Sequence, residues 1–273
     1  MLKTFAPKSP VLKKYIDTFY VFNSDIPGNL GYLAFPHTNT GLSFFRGVSI
    51  NRGNFRVKIC EQQTNDNSVC IEILGKYTQP VFVNYEGLID EIAVIFKPLG
   101  INRFIDDDLL KIAGNYTQPF NNELWLQKAK SLFDSDTRNE DLEQFLLSVF
   151  KEKDEFQKIE QSLAMFENSM EDYSVSEVAE KLCMNLKTFQ RSFTKITACS
   201  PSDYKRIARF RNSLRSKFQS KEMKSLTSIT YESNYSDQSY FIREFRKMTN
   251  QNPKHFFKEA SLVDGDKIVW EIL

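Results

Sequence analysis

The chain has 273 residues, 41% of them hydrophobic and 24 of them Phe, with 36 Lys and Arg against 35 Asp and Glu. At a prior of about 150 residues per domain this is enough for roughly two domains with real cores. No apolar run approaches the ~18 residues of a membrane-spanning helix. The first residues, MLKTFAPKSPVLKKY, carry no apolar stretch of the signal-peptide kind, so a cytoplasmic protein with reduced thiols is expected. Cys60, Cys70, Cys183 and Cys199 include no close pair. They are expected to be small buried apolar side chains and not zinc ligands.

Residues 1 to about 118 read as mostly strand. Short β-branched and aromatic runs fall at Tyr15 to Phe22, Gly41 to Phe45, Asn54 to Ile59, Ser68 to Leu74, Val81 to Val83 and Ile92 to Phe96. Turn signals separate them at Pro27-Gly28, Pro36, Arg52-Gly53, Asn65-Asp66-Asn67, Gly75, Gly87 and Pro98. That texture predicts a small, mainly antiparallel barrel or sandwich. Leu12 to Tyr15 is expected to be helical after Pro10.

From Pro119 the pattern turns helical, with amphipathic stretches at Glu123 to Phe133, Glu140 to Phe150 and Gln157 to Glu167. Residues 119–156 are expected to form a linker or dimerisation region apart from the β domain. Ser174 or Ser176 can cap a helix to Leu182, Cys183-Met184-Asn185 makes a turn, and Asn185 can cap the next helix. Pro201, behind Ser200, opens a long helix to about Phe218. Leu226, Ile229 and Thr230 suggest another short helix, Ser233-Asn234-Tyr235 a tight turn, and Phe241, Phe245 and Met248 the apolar stripe of the helix that follows. Pro253 opens a last helix, and residues 263–273 read as a tail.

Helix, tight turn, helix therefore occurs twice. Phe189 to Tyr204 (FQRSFTKITACSPSDY) and Phe241 to Phe256 (FIREFRKMTNQNPKHF) align at a constant offset of 52. Phe, Arg, Phe, Lys, Thr and Pro recur at matching places. Apolar spacing alone could coincide; the same Arg, Thr and Pro point to duplication of one structural unit. The charge is also segregated. Between Ser174 and Ala260 there are 17 Lys and Arg against 8 Asp and Glu, whereas residues 1–173 carry 18 against 24. A basic C-terminal third that coincides with a duplicated helix-turn-helix favours a DNA-binding module.

The stretch 157–260 resembles the DNA-binding domain of the AraC/XylS family of bacterial transcription regulators. The family's characteristic region runs approximately Gly-Phe-x-[Asp/Ser]-x-Ser-Tyr-Phe-x-Arg-x-Phe-Lys-Lys-x-x-Gly-x-x-Pro-x-x-Tyr-Arg. Here it reads Asn234-Tyr235-Ser236-Asp237-Gln238-Ser239-Tyr240-Phe241-Ile242-Arg243-Glu244-Phe245-Arg246-Lys247, continuing to Asn250, Pro253 and Phe256. Asn234, Asn250 and, in the first unit, Ala198 replace the usual Gly. Ala adopts the left-handed conformation poorly, so the first unit's second helix is expected to end differently from the family norm.

The resemblance implies a multidomain chain: a β-rich sensor domain (1–118), the helical segment 119–156, and a DNA-binding domain at 157–262 with two helix-turn-helix units. Each unit would lay its second helix in the major groove. The base-contact candidates are then Lys187, Thr188, Gln190 and Arg191 in the first unit, and Gln238, Ser239, Tyr240 and Arg243 in the second. Asn185, Lys195, Lys205, Arg206, Arg209, Asp237, Arg246, Lys247 and Lys254 are the phosphate-contact candidates. Phe189, Phe193, Phe241 and Phe245 are expected in the core. Leu74 to Pro80 and Val94 to Gly100 are similar to segments of the sensor halves of some family members. Those halves are often cupin-like barrels that bind a small effector or dimerise.

His37 is the one His of the N-terminal part, too little for a cupin metal site, so no metal or cofactor is expected. The resemblance implies double-stranded DNA and RNA polymerase as partners, a possible homodimer, an effector of unknown identity, and a nucleoid-associated, non-catalytic activator. The alternative is an enzyme fused to the same module, as in the methyl-accepting DNA-repair regulators. That alternative needs a zinc-holding Cys cluster that Cys60 and Cys70 alone do not supply.

Overall fold

The computed structural model describes residues 2–24, 27–62, 68–168, 171–218, 224–259, 262–263 and 268–272. The turn expected at Asn65-Asp66-Asn67 lies outside them. The chain divides into two compact units: Met1–Gly31, Asn39–Lys76 and Phe82–Lys153 form the first, and Tyr32–Thr38, Tyr77–Val81 and Asp154–Leu273 the second.

The first unit is built on strands β1 (Leu2–Phe5), β2 (Ile16–Asn23), β3 (Gly28–Ala34), β4 (Thr40–Arg46), β5 (Val48–Gly53), β6 (Arg56–Glu61), β7 (Val69–Leu74), β8 (Val81–Gly87), β9 (Asp90–Phe96) and the two-residue β10 (Gln118–Pro119), except that Tyr32–Ala34 of β3 and Val81 of β8 belong to the second unit. Its helices are α1 (Pro10–Tyr15), α2 (Leu109–Ala113), α3 (Glu123–Phe133) and α4 (Arg138–Val149). One sheet runs β1-β2-β9-β4-β7-β10, antiparallel throughout. The other contains β3-β8-β6-β5, in which β6 and β8 pair in parallel. Central strand β4 is buried from Thr40 to Phe45, as a strand covered on both faces must be.

One of those covers corrects the expectation for 119–156. Trp125 of α3 is 2% exposed and stacks on Phe44 of β4, with Phe145 of α4 edge-on to it. Arg138 of α4 reaches both carboxylate oxygens of Asp90 at 2.7 and 3.1 Å. Glu143 accepts from the backbone N–H groups of Lys8 and Ser9 ahead of α1. These helices are therefore a layer of the β unit and not a free linker, because their apolar stripe is buried against its sheet.

The second unit contains α5 (Gln157–Glu167), α6 (Val175–Lys181), α7 (Leu186–Thr197), α8 (Pro201–Phe218), α9 (Leu226–Glu232), α10 (Gln238–Thr249) and α11 (Pro253–Glu259). Strands β11 (Leu262–Val263) and β12 (Ile268–Ile272) pair with each other, and β12 adds antiparallel to Tyr32–Ala34 of β3. Strand structure thus extends into the stretch read as a tail. The core is aromatic and comes in two clusters. Phe166 meets Phe189, Phe193 and Tyr204 in one. In the other, Phe245 meets Phe210, Phe241 and Phe256. The expectation that Phe189, Phe193, Phe241 and Phe245 are core holds: all four are 0% exposed.

Candidate nucleic-acid interface

The duplication extends to individual hydrogen bonds. At the end of α6, the N–H groups of Leu182, Cys183 and Met184 donate to Val178, Glu180 and Ala179. At the end of α9, those of Ser233, Asn234 and Tyr235 donate to Ile229, Tyr231 and Thr230. Each turn is closed by one left-handed residue, Cys183 at φ 51° and Asn234 at φ 58°. The second turn holds one extra residue, so the offset is 51 before it and 52 after it.

Asn185 then caps α7 by accepting from the Lys187 N–H, and Asp237 caps α10 by accepting from the Tyr240 N–H. The exits also match. The Thr197 hydroxyl donates to the Phe193 carbonyl and the Thr249 hydroxyl to that of Phe245. Ala198 and Asn250 leave the helices in the left-handed region, at φ 55° and 59°. The expected difference at Ala198 is therefore absent. Thr197 bonds around the corner to both the carbonyl and the N–H of Cys199, and this holds Ala in a conformation it disfavours by about 1–2 kcal/mol.

With Phe189 and Phe193 turned inward, Lys187, Thr188, Gln190, Arg191 and Lys195 of α7 are all exposed. On α10 the exposed set is Gln238, Ser239, Arg243, Arg246 and Lys247, with Tyr240 half-buried. Lys254 on α11 is exposed too. Arg191, Lys195, Arg243, Arg246 and Lys254 form no ion pair among the described residues, so their charge is available to a polyanion.

Three of the phosphate-contact candidates are placed otherwise. Lys205 and Arg209 of α8 both bind Asp172, and Lys205 also donates to the Tyr173 carbonyl. Arg206 bridges Asp203 and Glu244 at 3.0 and 2.8 Å. Their charge is used in holding α8 to the segment before α6 and to α10. Asp237 caps α10. Its bond from the Tyr240 N–H holds its carboxyl below the usual carboxylate range, and an anion at that place caps the helix but repels phosphate. Asn185 is a cap as well.

Glu244 was not singled out from the sequence. It is 5% exposed. Burial pushes its carboxyl up, but Lys247 and Arg206 outweigh that and leave it lowered. The signal was present: Glu244 lies three residues past Phe241 and beside Phe245, at the margin of the apolar stripe. Among the described residues no group of three or more His, Cys, Asp or Glu is placed to hold a metal ion. No helix of the described residues is long and apolar enough to cross a membrane.

A basic outer face on two equivalent helices, each behind a tight turn, defines a DNA-binding protein with two helix-turn-helix units. Residues 178–259 match a family model described as a helix-turn-helix domain. That region is a helix-turn-helix domain. No curated protein matches it.

Among solved structures it is similar to ToxT from Vibrio cholerae, at 14% identity over 94% of this chain and 98% of that one, with a TM-score of 0.47. An unsaturated fatty acid-bound form of ToxT from Vibrio cholerae gives 14% identity, 88% and 94% coverage and a TM-score of 0.44. The DNA-binding domain of AdpA in complex with a target DNA gives 16% identity over 37% of this chain and 87% of that one, with a TM-score of 0.32.

Proposed function

We propose that the chain reads a specific DNA site by laying α7 and α10 in successive major grooves, with α8 as the spacer. What carries this reading is the repetition of capped turn, exposed basic helix and left-handed exit. Eighteen residues of α8 span about 27 Å at ~1.5 Å each, suited to two readers about one turn, roughly 34 Å, apart. Lys187, Thr188, Gln190 and Arg191, then Gln238, Ser239 and Arg243, face the bases. Lys195, Arg246 and Lys254 face phosphate, while the exposed Lys247 pairs with Glu244. The β-rich unit regulates this activity through a small effector or through dimerisation. The protein acts in the cytoplasm as a non-catalytic activator that recruits RNA polymerase.

The test is selection of sites from random duplex DNA by the full-length protein, followed by titration over several salt concentrations. Two enriched blocks about one helical turn apart support the proposal. Enrichment of a single block would sink it, because one unit would then suffice. A thermal-shift screen of small molecules tests the effector, since a ligand of the folded state raises the melting temperature by mass action.

A further inference from the structure

We infer that Tyr240 is a positioning residue that orients the guanidinium of Arg243 for base reading. The inference rests on the proposal above that α10 reads bases. The Arg243 guanidinium lies over the Tyr240 ring, 5.1 Å from its centroid. Tyr240 is in turn held by Tyr235, edge-on at 5.8 Å. Tyr235 is 4% exposed and packs edge-on against the core residue Phe241 at 5.0 Å. A chain of rings therefore runs from the core to the exposed head of Arg243.

The geometry suits guanine recognition. Stacking on a ring uses only the face of the guanidinium and leaves its N–H fork free at the edge. That fork is what meets O6 and N7 of guanine. A head already held in place loses less side-chain freedom on binding. In the first unit the positions equivalent to Tyr240 and Tyr235 are Thr188 and Met184, and neither can supply a ring beneath Arg191. The inference thus assigns the pre-oriented reader to the second unit alone.

The experiment uses full-length protein and a duplex carrying the site that it selects, together with duplexes changed at one base pair each. Tyr240→Leu and Tyr240→Met should lower discrimination at the base pair read by Arg243 by roughly three- to tenfold, because the cation–π contact is lost and the guanidinium must then be ordered on binding. The slope of affinity against salt should stay unchanged, because no phosphate contact is lost. Tyr240→Phe should stay within about twofold of the parent, since it keeps the ring. Tyr240→Leu combined with Arg243→Ala should discriminate no worse than Arg243→Ala alone.

Full additivity in that double variant would overturn the inference, as would loss of the same discrimination in Tyr240→Phe, which would make the hydroxyl a base contact in its own right. If Arg243→Ala lowers discrimination and neither Tyr240→Leu nor Tyr240→Met does, the inference alone fails. If Arg243→Ala changes nothing, the assignment of α10 as a reader fails with it.

Discussion

The two helix-turn-helix units share a plan but fill its two demanding backbone positions differently. In the second unit Asn234 and Asn250 occupy the left-handed turn and exit, and Asn is among the few non-Gly residues that do so routinely. In the first unit Cys183 and Ala198 hold the same places at nearly the same angles, at about 1–2 kcal/mol each. One plan persists through both because the surrounding hydrogen bonds over-determine the conformation. The second unit also has the Glu244–Arg206–Lys247 network, where the first has Ser192 in place of Glu244. The comparison teaches that the fold tolerates strain on one side and invests in charge and aromatic order on the other.

The shared plan breaks first at the core. Phe193→Ala and Phe245→Ala each remove a side chain that is 0% exposed, so each should cost about 3–5 kcal/mol. Chemical denaturation followed by tryptophan-independent far-UV circular dichroism would measure both. A cost under about 1 kcal/mol for either would mean that the two aromatic clusters are not equivalent cores.

At the surface, Arg243→Ala should weaken binding to the selected site by about 1–3 kcal/mol and relax one base position. Arg191→Ala should do the same at one block's distance, but less, for want of a ring beneath it. Equal losses measured on the same duplex would erase the difference between the readers. By contrast Lys205→Ala should leave the salt slope unchanged, because Lys205 is bound to Asp172.

Much of this domain was legible in the chain. Pro201 and Pro253, the Ser and Asn caps and the spacing of Phe marked its helices, since caps and apolar periodicity are local signals. The charge pattern marked the face. The roles of Lys205, Arg206 and Arg209 were not legible, because Asp172 and Glu244 lie over thirty residues away and ion pairing is settled only by packing. In the β unit, β1, β3 and β5 escaped notice: β3 (GNLGYLA) carries two Gly and β5 (VSINRG) ends in polar residues. Their strand character comes from their neighbours. The docking of α3 and α4 was hidden for the same reason, because an amphipathic stripe does not name its partner.

Acid should expose the electrostatic half of the comparison. Glu244 has a folded pKa below its ordinary value. Its contribution is therefore fully present above the unfolded carboxyl pKa, near 4.3, and is lost as pH falls through the folded value. Glu244→Gln should cost about 1 kcal/mol at pH 7, and the gap to the parent should narrow as pH falls below the unfolded carboxyl pKa and close once it passes the lowered folded value. Ser192, its counterpart, carries no such charge, so Ser192→Ala should show no pH-dependent difference. A Glu244→Gln cost that persists unchanged at pH 3 would mean that packing, and not charge, holds α10 to α8.

The smallest effects fall on the backbone, and they test the strain directly. Ala198→Gly removes the Cβ that the left-handed exit disfavours, a gain of about 1–2 kcal/mol. It also adds freedom to the unfolded chain, a loss of about 0.4–1 kcal/mol. The net should be a stabilisation of about 0.5–1 kcal/mol, visible as a higher denaturation midpoint with unchanged slope. The reverse change belongs in the second unit. Asn250 is exposed, so Asn250→Ala alters little besides backbone preference and should lower stability by about 0.5–1 kcal/mol. Cys183→Asn should move the first turn toward the second in the same direction as Ala198→Gly. If Ala198→Gly destabilises while Asn250→Ala is neutral, the left-handed exits are not where the two units differ in energy, and the strain assigned to the first unit is absent.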